Sequence, residues 1–293
     1  MDANEAAVNR AEVGKAALSD SPRLSPLAMR KSVIDMAFAG SSVHIGCAFS
    51  LIEIVSTLLS DVMNLGEGEL DPKRDRIFLS KGHGVMALYV GYEAIGWLDK
   101  VHLEKYFSDG SLLHGLAEAR VPMLEVSAGS LGHGLPVAVG YALGKKRNGQ
   151  PGHVYCIVGD GEMNEGSMWE ALLFAGHHKL DNLTVIVDAN GYQAMGRIPE
   201  VLNMEPFADK FRAFGFETSD IDGHSIAALR ETFRSHQLKT GKPKALVART
   251  VKGKGVSFME DNNEWHYRRL TPELLEAAGK ELAVQKPGGI SHA

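Results

Sequence analysis

Cysteine is nearly absent: Cys47 and Cys156 are the two in 293 residues, and both lie inside apolar segments. That excludes a disulfide scaffold and fits a reducing compartment. A basic excess is absent as well. Lysine and arginine number 31 against 36 aspartates and glutamates, a formal net charge of -5. Nucleic acid and anionic membrane are therefore poor partner expectations. No run approaches the ~20 apolar residues of a membrane span. Residues 1–24 mix charged and polar side chains without the apolar core of a secretory leader. A soluble cytoplasmic chain is the expectation. Its hydrophobic fraction of 44% and charged fraction of 23% are ordinary for a globular domain.

No internal repeat or low-complexity linker divides the chain. The reading is a polar arm over 1–24, one α/β domain over 25–283 and a loose tail over 284–293. Ser25 and Pro26 open a helix as cap and first residue, and Gly40 follows its last turn. Ser50–Leu65 reads as a second, amphipathic helix. Asp75–Gly84 is a short strand that delivers Ser80 to Gly84 into a loop, and a helix follows from Val85. A glycine-rich stretch at Gly129–Gly134 opens another helix with a basic end. Three apolar runs then recur at His153–Val158, Leu183–Asp188 and Ala245–Arg249, with helical patterns between them. Phe216–His224 adds a further strand before a helix at Ser225–Leu238. Short apolar strands alternating with helices predict a doubly wound, mainly parallel sheet.

The stretch Cys156–Gly166, "CIVGDGEMNEG", turns from an apolar strand into small and acidic residues. Asp160 lies just past that strand and Asn190 just past the next, with the helix Glu165–Lys179 crossing between them. A right-handed crossover makes the two strands parallel and opens both carboxyl ends on one side. Ligands of such sheets bind in that crevice. Both side chains are oxygen donors, which suits a hard ion: Mg²⁺, with Ca²⁺ or Mn²⁺ in its place. Gly159 and Gly161 let the backbone approach a phosphate. Either turn alone is commonplace. Together they point to a metal ion that holds a diphosphate.

"GDGEMNEG" and "DANGYQAMG" resemble the thiamine-diphosphate motif in its transketolase form. The resemblance runs from about Leu24 to Leu270 and includes "SKGHG", "GSLGHGL" and "KGKGVSFMEDNNEWH". It implies that Asp160, Asn190 and the main-chain carbonyl of Tyr192 hold the metal, and that the metal holds the diphosphate. Gly161 would touch the diphosphate through its backbone. Ser130, Leu131, Gly132, Gly159 and Glu162 join the cofactor-binding set by the same likeness. Glu165 resembles the glutamate that meets a partner domain's activating glutamate across the subunit interface. A first-turn acid favoured by the helix dipole is the alternative for it.

Twelve histidines are many for this length; His83, His114 and His133 adjoin glycine, and His44 lies two residues before Gly46. Imidazoles exchange protons near neutrality. The resemblance selects among them. It places His44 near a donor's reacting hydroxyls, His83 at diphosphate and substrate, and His266 over the diphosphate near the reacting carbon. His133 falls in a loop near the cofactor. His177 and His178 close a helix, and His224 precedes one. Two departures stand out. Leu116-Ala117 occupies the place of a His-Pro pair, so that His114, two residues earlier, either replaces that histidine or does not. The departure points to a specialised ketose. Ala189 stands where the metal segment usually carries Asn.

In that family the carboxylate that activates the cofactor's pyrimidine belongs to a second domain, and this chain ends where that domain would begin. The resemblance therefore implies the N-terminal subunit of a two-chain transketolase, working with a separate pyrimidine-binding C-terminal subunit in an α2β2 assembly. It would move a two-carbon ketol unit from a ketose to an aldose phosphate, with thiamine diphosphate as electron sink. One rival reading is the α subunit of a 2-oxo acid dehydrogenase or decarboxylase, against which "SKGHG" and "DNNEWH" weigh. Another is a non-catalytic, cofactor-binding regulatory partner. Thr250–Gly255, "TVKGKG", reads either as a phosphate clamp or as a solvated turn.

Overall fold

A computed structural model describes residues 21–285. Most of the expected polar arm and of the expected tail lies outside the described residues. The first helix, α1 (Pro26–Ala39), begins as its sequence predicts. The Ser25 side chain accepts a hydrogen bond from the Ala28 amide, Pro26 takes the first turn, and Gly40 caps the end.

The single helix expected over Ser50–Leu65 is instead α3 (Ile52–Thr57) and a π turn over Leu58–Val62, preceded by a short helix α2 (Ile45–Phe49). Leu51 to Ser60 are all buried, polar positions included. Glu53 is buried against Arg30, and the Ser56 hydroxyl donates to the Leu24 carbonyl at 2.6 Å. Polar residues that suggested a solvent face are buried and, Thr57 excepted, find partners inside, so the amphipathic pattern was misleading.

The main strands are β1 (Arg76–Leu79), β2 (Val154–Gly159), β3 (Leu183–Ala189), β6 (Glu217–Asp222) and β7 (Lys244–Arg249). They form one sheet in the order β1-β2-β3-β7-β6, and every neighbour pair is parallel. A small hairpin, β4 (Tyr192–Gln193) with β5 (Gly196–Arg197), follows β3. Side chains of β2 alternate between two cores, as a strand must. Tyr155 and Ile157 join the core built with α1, α3 and α4 (Met86–Ala94). Val154, Cys156 and Val158 join the opposite core, with α5 (Gly134–Arg147), α6 (Gly166–His177) and α7 (Phe207–Ala213). Helices thus cover both faces, which is why the central strands read as unbroken apolar runs. The edge strand β6 is half-exposed and correspondingly polar. No helix among the described residues is long and apolar enough to cross a membrane.

Candidate cofactor and active site

Register places the site. Gly159 of β2 pairs with Asp188 of β3, so Asp160 and Asn190 leave the sheet side by side. The Asp160 carboxylate is 2% exposed and accepts backbone N–H groups from Gly161 at 2.8 Å and Gly191 at 2.6 Å. Burial, and then the negative charge of Asp188, push it up to about 7. Asp188 is itself fully buried, yet its needs are met from within. It accepts from Ser50 Oγ at 2.7 Å, Asn190 Nδ2 at 3.0 Å, the Thr250 hydroxyl and the Lys81 ammonium. Burial alone would raise Asp188; the Lys81 charge and these bonds outweigh it and hold the carboxyl below its usual value. Lys81 answers in kind: burial opposes its charge, Asp188 restores it, and it titrates above its ordinary range. Asp188 and Lys81 therefore neutralise each other and orient Asn190. Asp160 is left as a buried carboxylate with two backbone N–H groups and only the more distant charge of Lys81 to support it.

A cavity of about 220 Å³ opens over this floor. Gly159, Asp160, Gly161, Glu162, Asn190 and Tyr192 line one side. A methyl group on Gly161 would lie 2.6 Å from Cβ of Gln193, so only glycine fits. Gln193 lines the cavity with its Nε2 buried and unpartnered. Glu162 is less a ligand than a staple: it accepts from the Ser80 hydroxyl, the Gly132 amide at 2.9 Å and the Gly159 amide at 3.1 Å. Tyr192 donates its hydroxyl to the Asp261 carbonyl at 2.7 Å, and its amide binds Asn190 Oδ1 at 3.1 Å.

Three imidazoles face this floor. The ring centroids of His44, His83 and His266 stand 5.0 to 5.4 Å apart. His44 sits in the left-handed backbone region, φ 67°, and its amide donates to the His266 carbonyl at 3.1 Å. Burial, followed by the charges of Lys252 and Lys81, lowers His44 to about 4. Burial, then Lys252 and His44, lower His266 to about 3, and burial with Lys81 takes His83 well below its ordinary value. All three are neutral at pH 7, each with one donor and one acceptor nitrogen. Ligand atoms of Cys47, His83 and His266 lie within 4.8 Å of one another, as in a soft-metal site. The Lys252 ammonium stands 3.0 Å from His266 Nδ1, however, and would repel a second cation there. The oxygen floor at Asp160 is the better cation site.

The other expected residues spread more widely. Leu131 lines the cavity, whereas Ser130 is exposed outside its lining and Gly132 engages Glu162. Glu165 is exposed as the cap of α6. His114 is turned away from the cavity, held by Glu118 at 2.9 Å and Arg120 at 2.7 Å, while Leu116 forms part of the wall. His133 is exposed over the Leu131 carbonyl. His224 does precede the helix α8 (Ile226–His236), but its ring is buried on Glu53 at 2.9 Å.

Sequence reasoning missed Lys81, Lys252, Asp188, Cys47 and Gln193 as site residues. Lys81 lay in plain view within "SKGHG". Lys252 is 1% exposed in the cavity wall, so "TVKGKG" is no solvated turn.

Comparison with known proteins gives the family of the chain. The family described as transketolase, thiamine diphosphate binding domain, matches residues 25–287. One chain of the apulose-4-phosphate transketolase of Phocaeicola vulgatus, named as a subunit of that enzyme, is 37% identical over 255 residues, 87% of this chain and 91% of that protein. A 6-deoxy-6-sulfo-D-fructose transketolase subunit of a Clostridium species is 36% identical over 82% of this chain and 88% of its own. The transketolase structure of Campylobacter jejuni superposes with a TM-score of 0.82 at 28% identity, over 89% of this chain. The chain spans 42% of that longer protein.

Proposed function

The chain belongs to the transketolase family through its thiamine diphosphate-binding domain, and on that premise we propose that it is the cofactor-binding subunit of a two-chain transketolase. The single observation that carries the reading is Asp160, a buried carboxylate raised to about 7 beside a second buried carboxylate. A divalent ion relieves that situation, and Mg²⁺ would take Asp160, Asn190 and the main chain at Tyr192 while keeping positions for phosphate oxygens. The residues fit the diphosphate equally well. Gly161 leaves the backbone bare, and the buried Gln193 amide has an unpartnered N–H donor at the cavity.

Bound thiamine diphosphate would supply the electron sink on which a ketose carbon–carbon bond opens. This chain's residues would bind, orient and move protons. Neutral His44 and His266 would exchange the proton of the donor's hydroxyl, assisted by His83, and Leu131 would exclude water beside the cofactor. A separate pyrimidine-binding subunit would contribute the activating carboxylate, with Glu165 at the interface, in a cytoplasmic α2β2 assembly. The donor would be a specialised ketose and the acceptor an aldose phosphate. Two relatives are named for uncommon ketoses, and Leu116 gives the cavity an apolar wall.

Native mass spectrometry of the chain purified gently from its source cells, with thiamine diphosphate and Mg²⁺, tests this. A companion of similar size and cofactor in the assembly are expected. Asp160→Asn should keep the circular dichroism spectrum and lose cofactor binding at least 100-fold. Retained cofactor binding in that variant would refute the metal site. Turnover of pyruvate or branched oxo acids in place of ketoses would favour the dehydrogenase-type reading.

A further inference from the structure

We propose that Lys252 is a positioning residue that fixes the tautomer of His266, leaving the single ring proton on Nε2. An ammonium donates hydrogen bonds and accepts none. The Lys252 Nζ stands 3.0 Å from His266 Nδ1 and 2.7 Å from the Asn263 side-chain carbonyl. Nδ1 must then carry the lone pair. The ring is neutral, because burial, Lys252 and His44 all disfavour a second proton. Its one proton is left on Nε2. Cys47 is compatible with this: its sulfur lies 3.5 Å from the same Nδ1, and burial keeps it a thiol, which can donate there.

The loop that carries Lys252 is anchored along its length. Thr250 donates its hydroxyl to Asp188. The Val251 amide donates to His224 Nε2 at 2.8 Å, the Gly253 amide to the Gly46 carbonyl at 3.1 Å, and Arg30 Nε to the Lys254 carbonyl at 2.6 Å. His224 and Arg30 share one buried carboxylate. Glu53 accepts from His224 Nδ1 at 2.9 Å and from both Arg30 terminal nitrogens at 2.7 and 2.9 Å. A buried ion pair is costly to build unless every polar atom is met. Here that pair, with His224, holds the short loop from which Lys252 enters the cavity wall. Lys254, also buried, pairs with Glu260 at 3.5 Å.

A proton held on Nε2 is offered steadily as a hydrogen bond to a substrate oxygen, whereas a ring free to exchange tautomers offers it part of the time. That use of the proton rests on the function proposed above; the tautomer itself does not. The test is a long-range proton–nitrogen correlation spectrum of the full chain labelled with ring-¹⁵N histidine, with His266→Gln for assignment. In the native chain His266 should show a protonated Nε2 and an unprotonated Nδ1. Lys252→Arg should keep the pattern, and Lys252→Met should average the two nitrogens or reverse them. A proton on Nδ1 in the native chain, or an unchanged spectrum in Lys252→Met, would overturn the assignment. The native spectrum decides even where Lys252→Met fails to fold. In the assembled enzyme, Lys252→Met should lower kcat about 10²-fold, the scale of one preorganised hydrogen-bond donor. A confirmed tautomer with unchanged kcat would count against the role of His266, leaving the tautomer intact.

Discussion

A methyl group on Gly82 would sit 1.8 Å from the carbonyl oxygen of Ala128. The crowding has a reason: the Ala117 amide donates to the Gly82 carbonyl at 3.1 Å, and the Ala128 amide to the Ala117 carbonyl at 3.0 Å. Three loops that line the cavity meet there without side chains. Gly82→Ala should therefore destabilise the fold by at least the ~1–3 kcal/mol of an overpacked core, read from urea unfolding. A stability within error of the native chain would show that the loops are slack. His44 offers the opposite case, since asparagine tolerates its left-handed backbone. We expect His44→Asn to keep both fold and cofactor binding while transfer with the partner falls about 10²-fold or more. Transfer near the native rate would remove His44 from the reaction. Asp160, Asn190 and the three histidines were legible in the sequence because each sits in a short local signature. Lys252 was not, because whether a lysine in a glycine loop points inward depends on Arg30, Glu53 and His224, remote in sequence.

At the scale of elements, Glu162 binds together the end of β1, the turn before α5 and the end of β2. Glu162→Gln replaces an acceptor oxygen with an amide that faces donors. A loss of about 1–3 kcal/mol in unfolding free energy is expected for the unmade bonds, with looser cofactor binding as the three pieces part. Thermal and urea midpoints unchanged from native would deny Glu162 this role. The three central strands were readable because a parallel sheet covered on both faces needs side chains that are apolar on both. Helix α3 was misread for the converse reason. Its Glu53 and Ser56 side chains pair inside the protein, and no periodicity distinguishes an inward glutamate from an outward one.

At the scale of the whole molecule, acid should act through buried histidines. His153 is lowered to about 3 and His236 to about 4, both chiefly by burial, at the end of the sheet away from the cavity. Their folded values lie below the unfolded value near 6.5, so the unfolded chain binds the proton more readily. The stability they support is complete above pH 6.5 and falls as pH drops from there toward 4, by up to about 1.4 kcal/mol per pH unit for each ring. Urea midpoints at pH 7.5, 6 and 5 should show the decline, to which His44, His83 and His266 add, and His153→Gln should make it shallower. A flat profile from pH 6.5 to 5 would mean that these rings are hydrated. The bond from the His44 amide to the His266 carbonyl has a consequence of another kind. It belongs to the peptide chain, as does the one from Gly253 to Gly46, so no exchange of side chains short of proline removes the groups that make either. Each ring can be deleted as a clean subtraction, with its neighbours still in register. A lineage could retune the chemistry of this pocket repeatedly without rebuilding the frame on which it is mounted.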